Sequence, residues 1–194
     1  MKVLISNLEK ALKQPELVKM LNDKLKNPDI LIIPSQKGNM EKTEKYAKEA
    51  YELFEKCGIT GAQRDIYQGG EIYLEAYDFI YLMGGSVKEQ NEIIMPLHEQ
   101  FITYHGVVMG MSAGAMNMCK EVLLISAHGE SQEIEYFPGI GLFDGYIDVH
   151  VNRDNAEQIR ELRECGKNVY CITDKGCLVI CDGKVTTYGD VFRL

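Results

Sequence analysis

The chain has 194 residues, is 45% hydrophobic and 26% charged, and carries a formal charge of -8 with a pI near 5.1. That length suits one domain spanning 1–194 and burying a single core, and a composition without low-complexity tracts or internal repeats is that of a globular α/β protein. Acids interspersed with bases argue against a partner with a phosphate backbone, no stretch approaches a membrane span, and Met1-Lys2-Val3-Leu4-Ile5-Ser6 lacks the features of a signal peptide, so a cytoplasmic location is expected.

Lys2 to Ser6 opens as a buried strand. Pro15 to Lys26 follows as a helix, with Leu17, Met20, Leu21 and Leu25 at helical spacing. Asp29 to Ile33 is a second continuous apolar run, closed by Pro34; runs of this kind mark strands covered on both faces, hence a parallel sheet. Glu41 to Cys57 predicts a long helix, striped by Tyr46, Ala50, Leu53, Phe54 and Cys57 and stopped by Gly58. Gln63 to Tyr67 is a weaker strand. Asp78 to Met83 is a core strand ending in Gly84-Gly85-Ser86, and Val87 to Tyr104 is a helix kinked at Pro96.

Val107 to Met118 reads as strand, tight turn, helix. The alternation so far predicts an α/β/α sandwich of three layers around a mostly parallel sheet, with the turns after Ile33, Met83 and Met111 at the carboxyl ends of strands, where such sheets bind ligands. Further on, Val122 to Ala127 and Ile134 to Tyr136 are short strands, Gly139 to Asp144 is a glycine-rich turn, and Tyr146 to Val151 is a strand carrying His150. Asn155 to Gly166 is the last helix and Asn168 to Thr173 a further strand on the same sheet. Leu178 to Asp182 and Lys184 to Tyr188 form a C-terminal β-hairpin around Asp182-Gly183.

The turn at Gly110-Met111-Ser112-Ala113-Gly114 is a G-x-S-x-G nucleophile elbow. Its glycines remove Cβ atoms where strand and helix converge, and Ser112 is held with Oγ projecting from the sheet edge. The amide of Ala113 opens a helix beside it and is an oxyanion donor by position. A hydroxyl needs a base. Of four histidines, His98 and His105 read as surface or helix-end residues, His128 as a loop residue or substrate contact, and His150 stands at a strand end where a base could meet the elbow, with only a modest edge over His128. Asp174 ends the strand Val169 to Thr173 and is the first candidate for the orienting acid; Asp148 and Asp144 are alternatives, and Asp154 reads as a turn residue or cap.

Asp174 follows His150, whereas in the α/β-hydrolases the acid lies between serine and histidine and the histidine comes last; Asp144 as the acid would restore that order. Four segments in one order resemble the peptidase E family, the aspartyl dipeptidases, with their relatives the cyanophycinases: Tyr81-Leu-Met-Gly-Gly-Ser86, Gly110-Met-Ser-Ala-Gly-Ala115, Leu142-Phe-Asp-Gly-Tyr-Ile-Asp-Val-His150 and Val169-Tyr-Cys-Ile-Thr-Asp174. The resemblance implies a class I glutamine amidotransferase-like fold and a serine peptidase. Ser112 would be the nucleophile, His150 the base and Asp174 the acid, with the amides of Gly85 and Ala113 as the oxyanion hole. It implies acylation of Ser112 by a short peptide, Asp-X among the candidates, then hydrolysis by water.

The chain departs from the family pattern at three places. Ser86 replaces an asparagine near the oxyanion hole and is a candidate substrate contact; Asp174 replaces a glutamate; and the loop after His150 is shorter than the family's, so that Arg153 and Arg160 are the candidates for the role of its substrate-binding arginine although neither matches by position. A non-enzymatic binding module on the same fold is the competing reading, and a class I amidotransferase is disfavoured by serine in place of cysteine. No metal or organic cofactor is implied, the expected partner is a short peptide, and the expected state is a monomer or homodimer. The six cysteines form no C-x-x-C pair and read as buried free thiols. Lys37, Lys88 and Lys175, near strand ends, are candidates for drawing in an anionic substrate.

Overall fold

The computed structural model describes residues 1–194. In chain order the elements are β1 (Lys2–Ile5), α1 (Leu8–Ala11), α2 (Pro15–Lys24), β2 (Ile30–Ile33), α3 (Met40–Lys56), β3 (Arg64–Ile66), β4 (Phe79–Leu82), α4 (Val87–Ile94), α5 (His98–Thr103) and β5 (Val107–Met111). They continue with α6 (Ala113–Asn117), β6 (Glu121–Leu124), β7 (Glu135–Pro138), β8 (Tyr146–Val149), α7 (Ala156–Glu164), β9 (Val169–Ile172), β10 (Cys177–Cys181), β11 (Lys184–Tyr188) and β12 (Val191–Arg193). The helix predicted from Val87 to Tyr104 is divided: α4 stops at Ile94, a short 3₁₀ turn holds Pro96, and α5 resumes at His98. Proline cannot donate to the helical ladder, and the break falls where it stands.

Seven strands form the central sheet in the order β11-β10-β1-β5-β4-β2-β3, parallel from β1 to β3 and antiparallel at the hairpin edge. The apolar runs are continuous because both faces are covered. Val3 and Ile5, Ile30 and Ile32, and Phe79 and Tyr81 pack with α2 and α3, whereas Leu4, Leu31, Ile80 and Leu82 pack with α4, α5 and α6. Phe54 fixes α3 to the sheet through edge-on contacts with Phe79 and Tyr81, at centroid distances of 5.1 and 5.3 Å. The hairpin turn at Asp182 (φ 50) and Gly183 (φ 74) has the two left-handed residues of a two-residue loop.

One expectation is corrected. The strand that precedes Asp174 does not join the central sheet: β9 lies between β8 and β12 in a sheet of three strands, parallel to β8 and antiparallel to β12. The central sheet has no vacant edge beside β1, because β10 pairs there antiparallel. The small sheet has its own core, in which Val151, Val169 and Cys171 pack with Leu162 of α7 and with Leu123 and Ile125. His150 and Asp174 therefore approach the elbow from a separate sheet.

Candidate active site

Ser112 lies between β5 and α6 with φ 53 and ψ -115, a conformation that costs a non-glycine residue roughly 1–3 kcal/mol. The flanking glycines are sterically required. A Cβ on Gly110 would stand 2.5 Å from the backbone of Gly114, and one on Gly114 would stand 2.4 Å from Leu82 O. The turn is tied down by Ser112 N donating to Ile5 O at 2.8 Å and by Met116 N donating to Ser112 O at 3.1 Å. Strand, elbow and helix are thus locked together, and the serine backbone has no cheaper conformation to relax into.

The imidazole of His150 meets this hydroxyl: Nε2 is 3.0 Å from Ser112 Oγ, and Nδ1 is 2.7 Å from Asp174 Oδ1. His150 has a positive φ of 54, and a buried residue that the sequence did not mark holds it there. Ser6, at the end of β1, accepts the His150 amide at 3.0 Å and donates its hydroxyl to Ile172 O at 2.7 Å, so one serine fixes the ends of β1, β8 and β9 relative to one another. Lys10 was also missed. Its ammonium lies 2.7 Å from Asp174 Oδ2, leaving each carboxylate oxygen with one partner. Partial burial pushes the Asp174 carboxyl up, but hydrogen bonds and charge from Lys10 and His150 outweigh this and hold it below the ordinary carboxylate range.

Gly85 stands beside the elbow with φ 148. A Cβ there would fall 2.1 Å from Ser35 Oγ, and that hydroxyl in turn donates to Gly84 O at 2.6 Å, so Ser35 pins the Gly-Gly turn. Ala113 opens α6, and an N–H at that position has no acceptor within its own helix. Ser86 caps α4 by accepting from Glu89 N at 3.2 Å and donates to Glu130 at 2.8 Å; the same carboxylate accepts from the amides of Val87 and Lys88. Nothing in the local sequence around Glu130 signals that contact, which spans more than forty residues.

The other candidates lie elsewhere. Arg153 pairs with Asp190 at 2.7 Å and stacks on Phe192, and Arg160 pairs with Glu164 along α7. Lys37 pairs with Glu92, and Lys88 with Glu135. Asp148 is fully buried and bound to His128, 2.5 Å from its Nε2, and to Gln158 Nε2 at 2.9 Å. Asp144 and Asp154 are at exposed turns. All six cysteines are free, and burial pushes the thiols of Cys119, Cys171 and Cys177 up to about 12. No group of three or more His, Cys, Asp or Glu residues is placed to hold a metal, and no helix is long and apolar enough to cross a membrane.

A strained elbow serine at the carboxyl edge of a mainly parallel sheet, with an imidazole within hydrogen-bonding distance, defines the class of α/β hydrolytic enzymes that use a nucleophile elbow. The family follows from comparison. The model of peptidase family S51 matches residues 3–188, and the chain belongs to that family and is a serine peptidase. The fold is that of a candidate peptidase E from Listeria monocytogenes EGD-e (TM-score 0.72, 16% identity, 97% of each chain covered). A peptidase from an acI-B1 actinobacterium shares it as well (TM-score 0.70, 18% identity, 100% of this chain and 93% of that one). Among curated proteins none matches.

Proposed function

We propose that the protein hydrolyses short peptides as an exopeptidase through an acyl-enzyme on Ser112, with His150 as general base and then acid, and Asp174 as the group that orients the ring. The observation that carries this is the unbroken chain from Ser112 Oγ to His150 Nε2 at 3.0 Å and from His150 Nδ1 to Asp174 Oδ1 at 2.7 Å. Hydroxyl attack on the peptide carbonyl passes the Oγ proton to Nε2, while Asp174 accepts from Nδ1–H and stabilises the imidazolium. The amides of Gly85 and Ala113 receive the developing oxyanion. Nε2 then protonates the departing amine, and water repeats the sequence in reverse to free the acid and regenerate Ser112.

Two further features support the assignment. The acid is one methylene shorter than glutamate, and Lys10 draws its far oxygen so that the near one faces the ring. A binding module without turnover has no need of an imidazole held between Ser112 and Asp174, and here both ring nitrogens are so engaged. Cleavage of Asp-X peptides calls for a cation at the side-chain site, and the guanidinium of Arg153 is already held by Asp190. The proposal therefore extends to short peptides without acidic selectivity. Its test is incubation with a panel of Asp-X, Asn-X and neutral dipeptides together with labelling by an alkyl fluorophosphonate. Cleavage and labelling that both vanish in Ser112→Ala are expected, and turnover retained by that variant would refute it.

A further inference from the structure

Beside the elbow, on the α3 side of the sheet, lies a cavity of about 480 Å³, a volume suited to a small ligand. Tyr81, Met83 and Met111, at the carboxyl ends of β4 and β5, form its floor; Ala50 and Leu53 of α3 form a wall, and Tyr46 stands exposed at the mouth. The cavity adjoins the proposed catalytic centre through residues next to Ser112, although Ser112 itself does not line it. Met111 directly precedes Ser112, Gly84 and Gly85 border the opening, and a Cβ built on Gly84 would lie 3.1 Å from Ser112 Cβ. Gly85, the proposed oxyanion donor, borders the opening, so a carbonyl whose oxygen faced Gly85 would bring its own residue's side chain to the cavity mouth. His150 does not line the cavity, so the departing amine, which must meet that ring, lies away from it.

The buried part of the lining is mostly apolar; its polar members are Thr43 and Ser35, whose hydroxyl is taken by Gly84 O. Tyr81 is 2% exposed, and its hydroxyl is already bonded to Met111 Sδ at 3.3 Å. The charged residues of the lining, Glu9, Lys42 and Glu49, are all exposed. Lys42 Nζ donates to Gln36 Oε1 at 3.2 Å, and Glu9 is paired with Lys13. A carboxylate side chain entering here would lose hydration against thioether, ring and aliphatic carbon. A branched aliphatic or aromatic side chain would gain by the same burial.

We infer that this cavity is the specificity pocket for the residue whose carbonyl is attacked, and that it selects a large apolar side chain (leucine, methionine or phenylalanine) over aspartate. The inference rests on Ser112 being the nucleophile. In a dipeptide panel with a constant leaving residue, kcat/KM for Leu-X, Met-X and Phe-X is expected to exceed that for Ala-X and Asp-X by about 10- to 100-fold. Ala50→Met, which fills the pocket from α3, is expected to cut the ratio of Leu-X to Ala-X at least about tenfold. A preference for Asp-X, or an unmoved ratio in a folded Ala50→Met variant, would overturn the inference; should that variant not fold, the panel on the unaltered protein decides. Labelling of Ser112 by an alkyl fluorophosphonate separates the two levels. Labelling with Asp-X preferred overturns the pocket alone, whereas absence of both labelling and cleavage overturns the nucleophile and the pocket together.

Discussion

Two histidine–aspartate pairs each place one member at the carboxyl end of β8, Asp148 within it and His150 just past it, and their contrast explains why only one is offered as machinery. Asp148 is inside the strand and fully buried; His128 Nε2 takes one of its oxygens, and Gln158 Nε2 takes the other. The oxygen of that amide is in turn occupied by Asn152 N at 3.1 Å, so the network closes on itself. His150 lies one residue past the strand end, with its side chain 44% exposed and Asp174 37% exposed. Its ring points outward to a hydroxyl on a strained turn. Nearly equal pair distances, 2.5 and 2.7 Å, thus serve opposite ends. Exposure, and the hydroxyl that His150 Nε2 meets, separate the two pairs more than the pair distance does.

The sharpest way to break the contrast is to remove each centre in turn. Ser112→Ala is expected to lower kcat about ten-thousandfold or more while leaving the melting temperature little changed, because alanine occupies the same locked backbone and only the side-chain contact to His150 is lost. Asp174→Asn keeps the shape but favours the wrong tautomer of His150, so kcat should fall by roughly a thousandfold to ten-thousandfold with KM little altered. Steady-state kinetics on a cleaved dipeptide, with differential scanning calorimetry alongside, checks both. Should Asp174→Asn stay within a few-fold of the parent, the acid is elsewhere.

These two residues were legible for different reasons. The elbow is local: strand, glycine, serine, glycine and helix follow in one run, and the structure explains each glycine by a clash at 2.5 Å or less. The continuous apolar runs likewise forecast the parallel half of the sheet, since burial on both faces leaves no polar alternation. The sheet carrying His150 and Asp174 was misplaced because strand patterning reports burial and not which edge is free; β10 had already taken the edge of β1. Ser6 and Lys10 were missed for a related reason. Their contacts to His150, Ile172 and Asp174 span well over a hundred residues, and no periodicity encodes a partner at that range.

The closed pair makes the opposite forecast, with stability moving instead of chemistry. His128→Leu leaves a buried Asp148 without its charged partner, and a loss of about 3 kcal/mol is expected from chemical denaturation, with the activity of the folded fraction retained. A smaller effect comes from pH. Burial pushes His128 down, but the hydrogen bond and charge of Asp148, with Glu130 and Glu161 nearby, win and raise it. A raised histidine contributes stability that is fully present below the ordinary value of about 6.5 and is lost as pH rises through the folded one. The melting temperature should therefore decline from pH 6 to pH 8.5, and His128→Gln should flatten that decline; a parent curve that is flat or rising would contradict the assignment.

The smallest expected effect probes the open pair at its outer edge, where Lys10 holds Asp174. Both groups are more than a third exposed, so solvent screens the interaction and its removal should be mild. Lys10→Met is expected to reduce kcat by about threefold with KM unchanged, through looser orientation of the carboxylate rather than loss of a reacting group. The second readout is on the acid side. Because Lys10 helps to hold the Asp174 carboxyl low, the stabilisation it lends is present above the ordinary carboxylate range and is lost as pH falls through the depressed value. Without the ammonium that loss begins at higher pH, and acid unfolding should shift upward in Lys10→Met and return in Lys10→Arg. A shift in neither kinetics nor acid unfolding would show that the ring and Ser6 alone orient Asp174 and His150, and the contrast with the closed pair would then rest on exposure alone.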